Sequence, residues 1–230
     1  MFKFRLSNIP HLQQLFRVIL FSFVFTLISC TSTKPPSLVT PTRIPSSHSD
    51  NDTNSNQRSL ELELCKMKVS NPPHSISNNV QRQSQHACVN GVRLLVAPAP
   101  KACLSSGFGF RGTKNHVGID YQSKPAGSVL AAASGKVINV EFRPQDYGHW
   151  VIIDHGKGIY TSYAHLENVS SRIKVGKQIT VGDKLGTMGK SGNAAYAVHL
   201  HYEMRKGNYN NSRKWWGLTA IDPFSLAASC

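Results

Sequence analysis

The hydrophobic pattern of this chain changes character three times. Val18 to Ile28 is an unbroken run of apolar and small polar residues. Residues 31–60 then hold 19 Ser, Thr, Pro or Asn among 30, with almost no large apolar side chain. Such a composition has too little to bury to order itself, and it predicts a disordered tether. Residues 61–97 are mixed. LELELCKMK alternates like a strand, NPPHS is a breaker, and CVNGVRLLV carries an Asn-Gly turn signal between short apolar runs, which predicts a small N-terminal hairpin subregion. From Pro98 onward, short apolar runs are cut by glycines, as in GSVLAAASGKVINVEF, GHWVIIDHGKGIYTSYAHL and RIKVGKQITVGDKLGTMG. Turn signals at intervals of roughly 8–12 residues predict an all-β domain, an antiparallel sheet or sandwich. WVII is apolar on both faces and predicts a central strand. No long stretch follows the 3.6-residue period of a helix, and no internal repeat is present.

AVHLHYEMR, Ala197 to Arg205, is the most informative of these runs. On a strand, residues two apart share a face. His199, His201, Glu203 and Arg205 then lie on one side, and Leu200, Tyr202 and Met204 on the other. One face reads as core. The other reads as a polar site, with the Glu203 carboxylate expected at its exposed rim.

Charge narrows the setting. The formal net charge is +14 with a pI near 9.8, so an anionic partner is expected. The N-terminus argues against nucleic acid. Lys3, Arg5 and Arg17 precede or enter the apolar run with no acid before Cys30, the layout of a secretory signal. The run is shorter than the roughly 20 residues a membrane-spanning helix needs. Its end, LISC, resembles a bacterial lipobox. The resemblance implies that residues 1–29 are a signal peptide and that Cys30 is lipidated, leaving a mature chain anchored to the membrane through lipid. Thr31 is not the aspartate that often retains such proteins in the inner membrane, so the cell envelope, at the outer membrane facing the periplasm, is the expected location. Losing Lys3, Arg5 and Arg17 lowers the charge from +14 to +11.

Cys65, Cys88, Cys103 and Cys230 remain, an even number in an exported chain. That suggests two disulfides, with three connectivities open. Cys65–Cys88 with Cys103–Cys230 is the expected pairing; the second would close a long loop worth about 4–5 kcal/mol of unfolded-state entropy. Zinc held by these cysteines is disfavoured, because no CxxC spacing exists.

A second motif, NHVGID, places His116 and Asp120 four apart. An extended chain would separate their Cα atoms by roughly 13 Å. The backbone must bend if both are to hold one metal, and Gly118 between them permits it. A third histidine, His165, ends the strand YTSYAHL. Two imidazoles and a carboxylate make a three-ligand zinc site with one position left open, as catalytic zinc sites have. Zinc in such a site lowers the pKa of water to about 7 and polarises a carbonyl.

The series FGFR, HVGID, YGHWVIIDHGKGIYTSYAHL, VGKQITVGDKLGTMGKSGNA, HLHYEMR and DPF resembles the catalytic domain of lysostaphin-type (LytM-domain) zinc metallopeptidases, over roughly residues 98–225. HxxxD, the isolated histidine after Tyr-Ala, and HxH occur in the order of that family. The resemblance implies a small antiparallel β domain with a groove over the sheet and peptidoglycan as substrate. It also implies Zn2+ on His116, Asp120 and His201, with His199 and His165 assisting catalysis. Domains are then expected at 1–29 (signal), 30–60 (lipidated linker), 61–97 (N-terminal subregion) and 98–230 (metallopeptidase). The expected activity is a zinc endopeptidase cutting peptide cross-links of the wall. The rival is a non-catalytic activator whose partner is a cell-wall amidase.

Some features depart from the pattern or lie outside it. NAAYAV precedes HLH where the family commonly has a Ser/Thr-Gly-Pro run. GNYNNSRKWWGL carries Trp215 and Trp216, either a groove wall contacting glycan or a pair closing the core. Arg111 is a candidate for a substrate carboxylate or for a structural ion pair. His149 and His155 are read as structural or exposed; His48, His74 and His86 as solvated; His11 as part of the signal. RIKVGKQITVGDKLG resembles the hairpin of lipoyl and biotinyl carriers but lacks their lysine-bearing turn.

Overall fold

A computed structural model describes residues 59–73, 80–210 and 213–230. The signal peptide, Cys30, nearly all of the linker, and His11, His48 and His74 lie outside the described residues. Among those described, the secondary structure is strands and two short 3-10 turns, Lys214–Gly217 and Pro223–Ser225. No helix there is long and apolar enough to cross a membrane.

The protein is built on a ten-stranded sheet. Its main path runs Gln178–Ile179, Gly135–Arg143, Gly148–Asp154, Ile159–Val169, Leu200–Lys206, Ile119–Gln122 and Cys103–Ser106, every neighbour antiparallel. Gly148–Asp154 sits inside the path, and Trp150 to Ile153 are all buried, as apolarity on both faces requires. Asn90 and Gly91 both take positive φ. They close the hairpin of His86–Val89 with Val92–Leu95, the backbone that an Asn-Gly turn favours. His86 therefore belongs to a strand and is half-buried, a correction to the solvated reading. Ser59–Glu63, the start of the alternating run, pairs with Val80–Ser84.

One sheet face carries the main core. Leu200, Tyr202 and Met204 join Ile119, Tyr121, Val151, Ile153 and Tyr163 there, and Leu62, Ala87, Leu94 and Val96 belong to the same cluster. Buried tyrosines need a partner for each hydroxyl. Tyr121 donates to the Val96 carbonyl at 2.8 Å, Tyr202 donates to the Leu95 carbonyl at 3.1 Å, and Tyr163 accepts from the Ala132 amide at 2.8 Å. The opposite face carries a smaller cluster of Trp150, Ile152, Tyr160, Ala164, Trp215 and Leu218.

The disulfides are Cys65–Cys103 and Cys88–Cys230. This corrects the expected pairing. Leu64 bridges Leu104 in parallel and the Cys88 amide bonds the Ala227 carbonyl, so backbone pairing has already brought the observed partners together.

Candidate metal centre and groove

Three strands converge on one point. Asp120 lies on Ile119–Gln122, directly opposite His201 on Leu200–Lys206. His116 ends the short strand Lys114–His116, which pairs with Gly109–Arg111. A Cβ at Gly118 would lie 2.6 Å from the Tyr202 carbonyl oxygen and 2.8 Å from His201 Cε1. Gly118 is thus needed for the close approach of the neighbouring strand rather than for the backbone bend expected of it.

Asp120 Oδ1 lies 3.1 Å from His116 Nε2 and 2.8 Å from His201 Nδ1, and those two nitrogens are 3.1 Å apart. The other nitrogen of each ring decides what these atoms are. His116 Nδ1 lies 2.7 Å from the Gly107 carbonyl, which only accepts, so Nδ1 carries the proton and Nε2 a lone pair. His201 Nε2 lies 2.9 Å from Glu203 Oε1, so it donates and leaves Nδ1 bare. Two bare nitrogens and a carboxylate oxygen then face one another at hydrogen-bond range. Three lone pairs repel unless a cation sits among them, and outer hydrogen bonds that fix the tautomer are what a metal-ligating histidine has. The donor set fits a divalent metal such as zinc. Without a metal a proton takes that place: burial works against a charge on His201, yet Asp120 and Glu203 overcome it and push its pKa up to about 10, so a cation binding there displaces the Nδ1 proton. Burial likewise opposes ionisation of Asp120, and the two histidines still hold it well below the usual carboxylate range.

Glu203 is fully buried, not at the rim. It accepts from His201, from the Tyr147 hydroxyl at 2.7 Å and from Arg205 Nε at 2.6 Å. Burial and the Glu203 charge push the Tyr147 pKa up, so the phenol stays a donor. Arg205 also donates to the Trp215 and Leu218 carbonyls and lies 4.7 Å from the Trp215 ring centroid. Strand parity put Glu203 beside His201; it carried no information about depth.

His165 reaches the same face through an irregularity. His149 pairs with Leu166 but Val151 with Tyr163, so Ala164 and His165 together oppose Trp150. His165 takes φ of 59°. A bulge of this kind re-aims a side chain; regular alternation would have put His165 on the face of Tyr163, in the main core. Its Nδ1 donates to the Ser191 carbonyl at 2.9 Å. His199 Nδ1 donates to the Ala197 carbonyl at 2.8 Å, and its Nε2 lies 3.8 Å from Asp120 Oδ1. The two rings are 4.7 Å apart. Burial pushes the His165 pKa down to about 4, with the neighbouring His199 adding to it. Burial also lowers the His199 pKa, against the pull of Asp120. Both are neutral at pH 7, each with a bare Nε2.

These side chains line a groove of about 480 Å³ whose walls include Met67, Arg111, Tyr147 and Tyr196. Arg111 Nη1 donates to Ser106 Oγ at 3.1 Å and lies 3.7 Å from Asp120 Oδ2, so its first engagement is within the site. His155 sits apart, bonded to Ser134 and Thr161, and His149 packs on Phe142. The tryptophan pair divides: Trp215 is buried and Trp216 is half exposed. Sequence reasoning missed Tyr147, whose partner Glu203 is 56 positions away, and the Gly107 and Ser191 carbonyls, because backbone acceptors leave no signal in residue identity.

Known proteins are similar to this chain over part of its length. The chain is 34% identical over 116 residues to the DD-carboxypeptidase/endopeptidase Mpg of Neisseria meningitidis, covering 48% of this chain and 26% of that protein. It is 29% identical over 99 residues to the murein hydrolase activator NlpD of Escherichia coli, covering 43% of this chain and 25% of that one. The chain thus spans about a quarter of the length of these curated relatives. The catalytic domain of the prophage-encoded M23 protein EnpA from Enterococcus faecalis aligns over 54% of this chain and 90% of its own, at 27% identity and a TM-score of 0.46. Residues 114–214 match the model of peptidase family M23, and that stretch is identified as an M23-type peptidase domain.

Proposed function

We propose that this protein is a zinc endopeptidase that hydrolyses peptide cross-links of peptidoglycan, held at the membrane by lipid on Cys30. The convergence of His116 Nε2, Asp120 Oδ1 and His201 Nδ1, all within 3.1 Å of one another, carries the reading. These three residues would hold the metal, and zinc there would polarise the scissile carbonyl and make water a better nucleophile at neutral pH.

The chain's own groups account for the proton. His199 and His165 both present a bare Nε2, so either accepts one. Burial opposes a charge on both rings; Asp120, 3.8 Å from His199 Nε2, is the strongest counterweight at His199, whereas His199 adds to the opposition at His165. His199 is therefore the general base. Once protonated it can deliver the proton to the leaving amine. His165 borders the same space and positions His199 or, if protonated, stabilises the developing oxyanion. The basic surface favours approach to an anionic wall, and the segment from Cys30 to the domain would give the domain its reach.

Similarity to NlpD favours a second reading, an activator whose partner is a cell-wall amidase. An intact donor set counts against it. One experiment separates the two: purified protein is assayed for zinc, then incubated with wall sacculi beside His116→Ala. The endopeptidase reading expects about one zinc per chain and soluble fragments from the native protein alone. Equal release by both proteins overturns it. Mass spectrometry of the fragments names the bond, and labelling with a fatty-acid analogue in native and Cys30→Ala chains tests the anchor.

A further inference from the structure

We propose that Trp216 and the side chains stacked against it form a sugar-binding platform at one end of the groove. It would take a pyranose ring of the wall glycan, and it rests on the wall-peptidase reading above. Trp216 is 50% exposed, while the adjacent Trp215 is 2% exposed. The exposed indole is firmly supported. It lies 6.3 Å from the buried Trp150 ring at an interplanar angle of 25°, and 5.7 Å from Tyr147. Tyr147 in turn stacks on Trp150 at 4.8 Å. The Arg143 guanidinium lies 5.7 Å from both indole centroids. The Trp216 amide donates to the Arg213 carbonyl at 3.0 Å and the Leu218 amide to the Trp215 carbonyl at 3.1 Å, so the turn is closed by its own backbone.

The chemistry at the edge of the indole selects the occupant. Arg143 is clamped by Asp146 through two bonds of 2.9 Å and lies 3.6 Å from Glu141. Burying an apolar protein face against this ring would desolvate those charges. A pyranose avoids that conflict. Its flat face of C–H groups covers an aromatic plane, while its hydroxyls point outward in the ring plane, toward donors and acceptors such as Arg143 and Asp146. A small-ligand site has this mixture: apolar area for contact and a few polar groups for orientation. Asp146 and Tyr147 also line the groove of the metal centre, so the platform and the site of peptide cleavage are continuous. A wall cross-link hangs from a sugar, so a site that holds the peptide has glycan at one end.

The test uses the full chain and chitotetraose, a peptide-free oligomer of N-acetylglucosamine. Binding is followed by saturation-transfer NMR and by calorimetry, neither of which needs catalysis or an intrinsic tryptophan signal. Saturation is expected to pass from protein aromatic protons to the sugar C–H groups. Trp216→Ala should weaken binding about tenfold, and Trp216→Phe should recover all but roughly threefold of it. The proposal is overturned if the native chain does not bind chitotetraose or if Trp216→Ala binds it equally well. It is also overturned if Trp216→Ala weakens binding of a glycan-free cross-linked peptide instead, which would make the platform a peptide subsite. A chain that binds chitotetraose through Trp216 yet leaves sacculi intact sinks the peptidase reading and not the sugar site; the reverse result sinks the sugar site alone.

Discussion

Glu203→Gln gives the sharpest test of how the centre is held. The glutamine fits the same space but carries no charge. Its oxygen can still accept from one or two neighbours. Its NH2 group must then face a donor, Arg205 Nε at 2.6 Å or His201 Nε2 at 2.9 Å. Arg205 is 6% exposed and would be left as a buried cation without its counter-ion. Breaking such a pair from one side costs about 3–5 kcal/mol. For a domain of this size, that lowers the melting temperature by roughly 6–20 °C. His201 would keep at best a neutral amide oxygen in place of the carboxylate that fixes its tautomer, and disturbing such an outer partner weakens metal affinity about 10–100-fold. Calorimetric melting measures the first effect, and zinc competition against a chromophoric chelator the second. Removing both charges with Glu203→Leu and Arg205→Met should be less destabilising than Glu203→Gln alone, because no uncompensated ion remains. A Glu203→Gln protein that melts within a degree of the native one and binds zinc as tightly refutes the reasoning.

Gly118→Ala should abolish metal binding and lower the yield of folded protein, since its Cβ would meet the Tyr202 backbone oxygen at 2.6 Å; zinc content and melting check this. The Cys88–Cys230 bridge spans 142 residues, and in the chain-entropy model Cys88→Ser with Cys230→Ser should cost about 5 kcal/mol, measured by urea unfolding. Peptide mapping without reduction should join Cys65 to Cys103 rather than to Cys88. His155 has its pKa lowered by burial, with backbone and Asp154 contacts opposing. The unfolded chain therefore takes up that proton first, so the stability contribution is present above about pH 6.5 and is lost as pH falls toward the folded value. His155→Gln should flatten this part of the stability–pH curve.

Much of the site was legible because strand periodicity is a strict rule. Alternation in Leu200–Lys206 assigned every side chain of that strand to its face. The four-residue spacing of His116 and Asp120 pointed to one metal. What the period does not encode is depth. Glu203 was expected at the rim because an acid on a polar face is ordinarily solvated; Arg205 and Tyr147, the latter 56 positions away in sequence, make its burial tolerable. Nor does it encode faults in the ladder. The bulge that carries His165 into the groove depends on how Ala164 and His165 share one partner across the sheet. Cysteine pairing was not legible for a related reason. It follows from which backbones lie side by side, and Cys65 meets Cys103 only because residue 64 runs beside the sheet edge at Leu104.

The tryptophan-bearing segment links these points. Read alone, Trp215 and Trp216 could serve the core or the groove, and the structure buries the first and leaves the second half exposed. Trp215 lies under Arg205, whose guanidinium bonds the carbonyls of Trp215 and Leu218 and holds Glu203. Glu203 then holds His201 in the tautomer that presents Nδ1 to the metal point. A buried ion pair of this kind is a poor device for stability, because hydrophobic side chains of equal volume would usually serve as well. It is a good device for orientation, since a carboxylate with three fixed donors has little freedom to turn. The segment that supplies the exposed face of Trp216 therefore also sets the geometry of the candidate metal centre, through Arg205. A substitution that loosens the 214–217 turn without touching either tryptophan should affect zinc affinity and sugar binding together. Trp216→Ala should affect sugar binding alone. If the two properties cannot be separated in that way, the relay from Trp215 to His201 is not the route by which this turn acts.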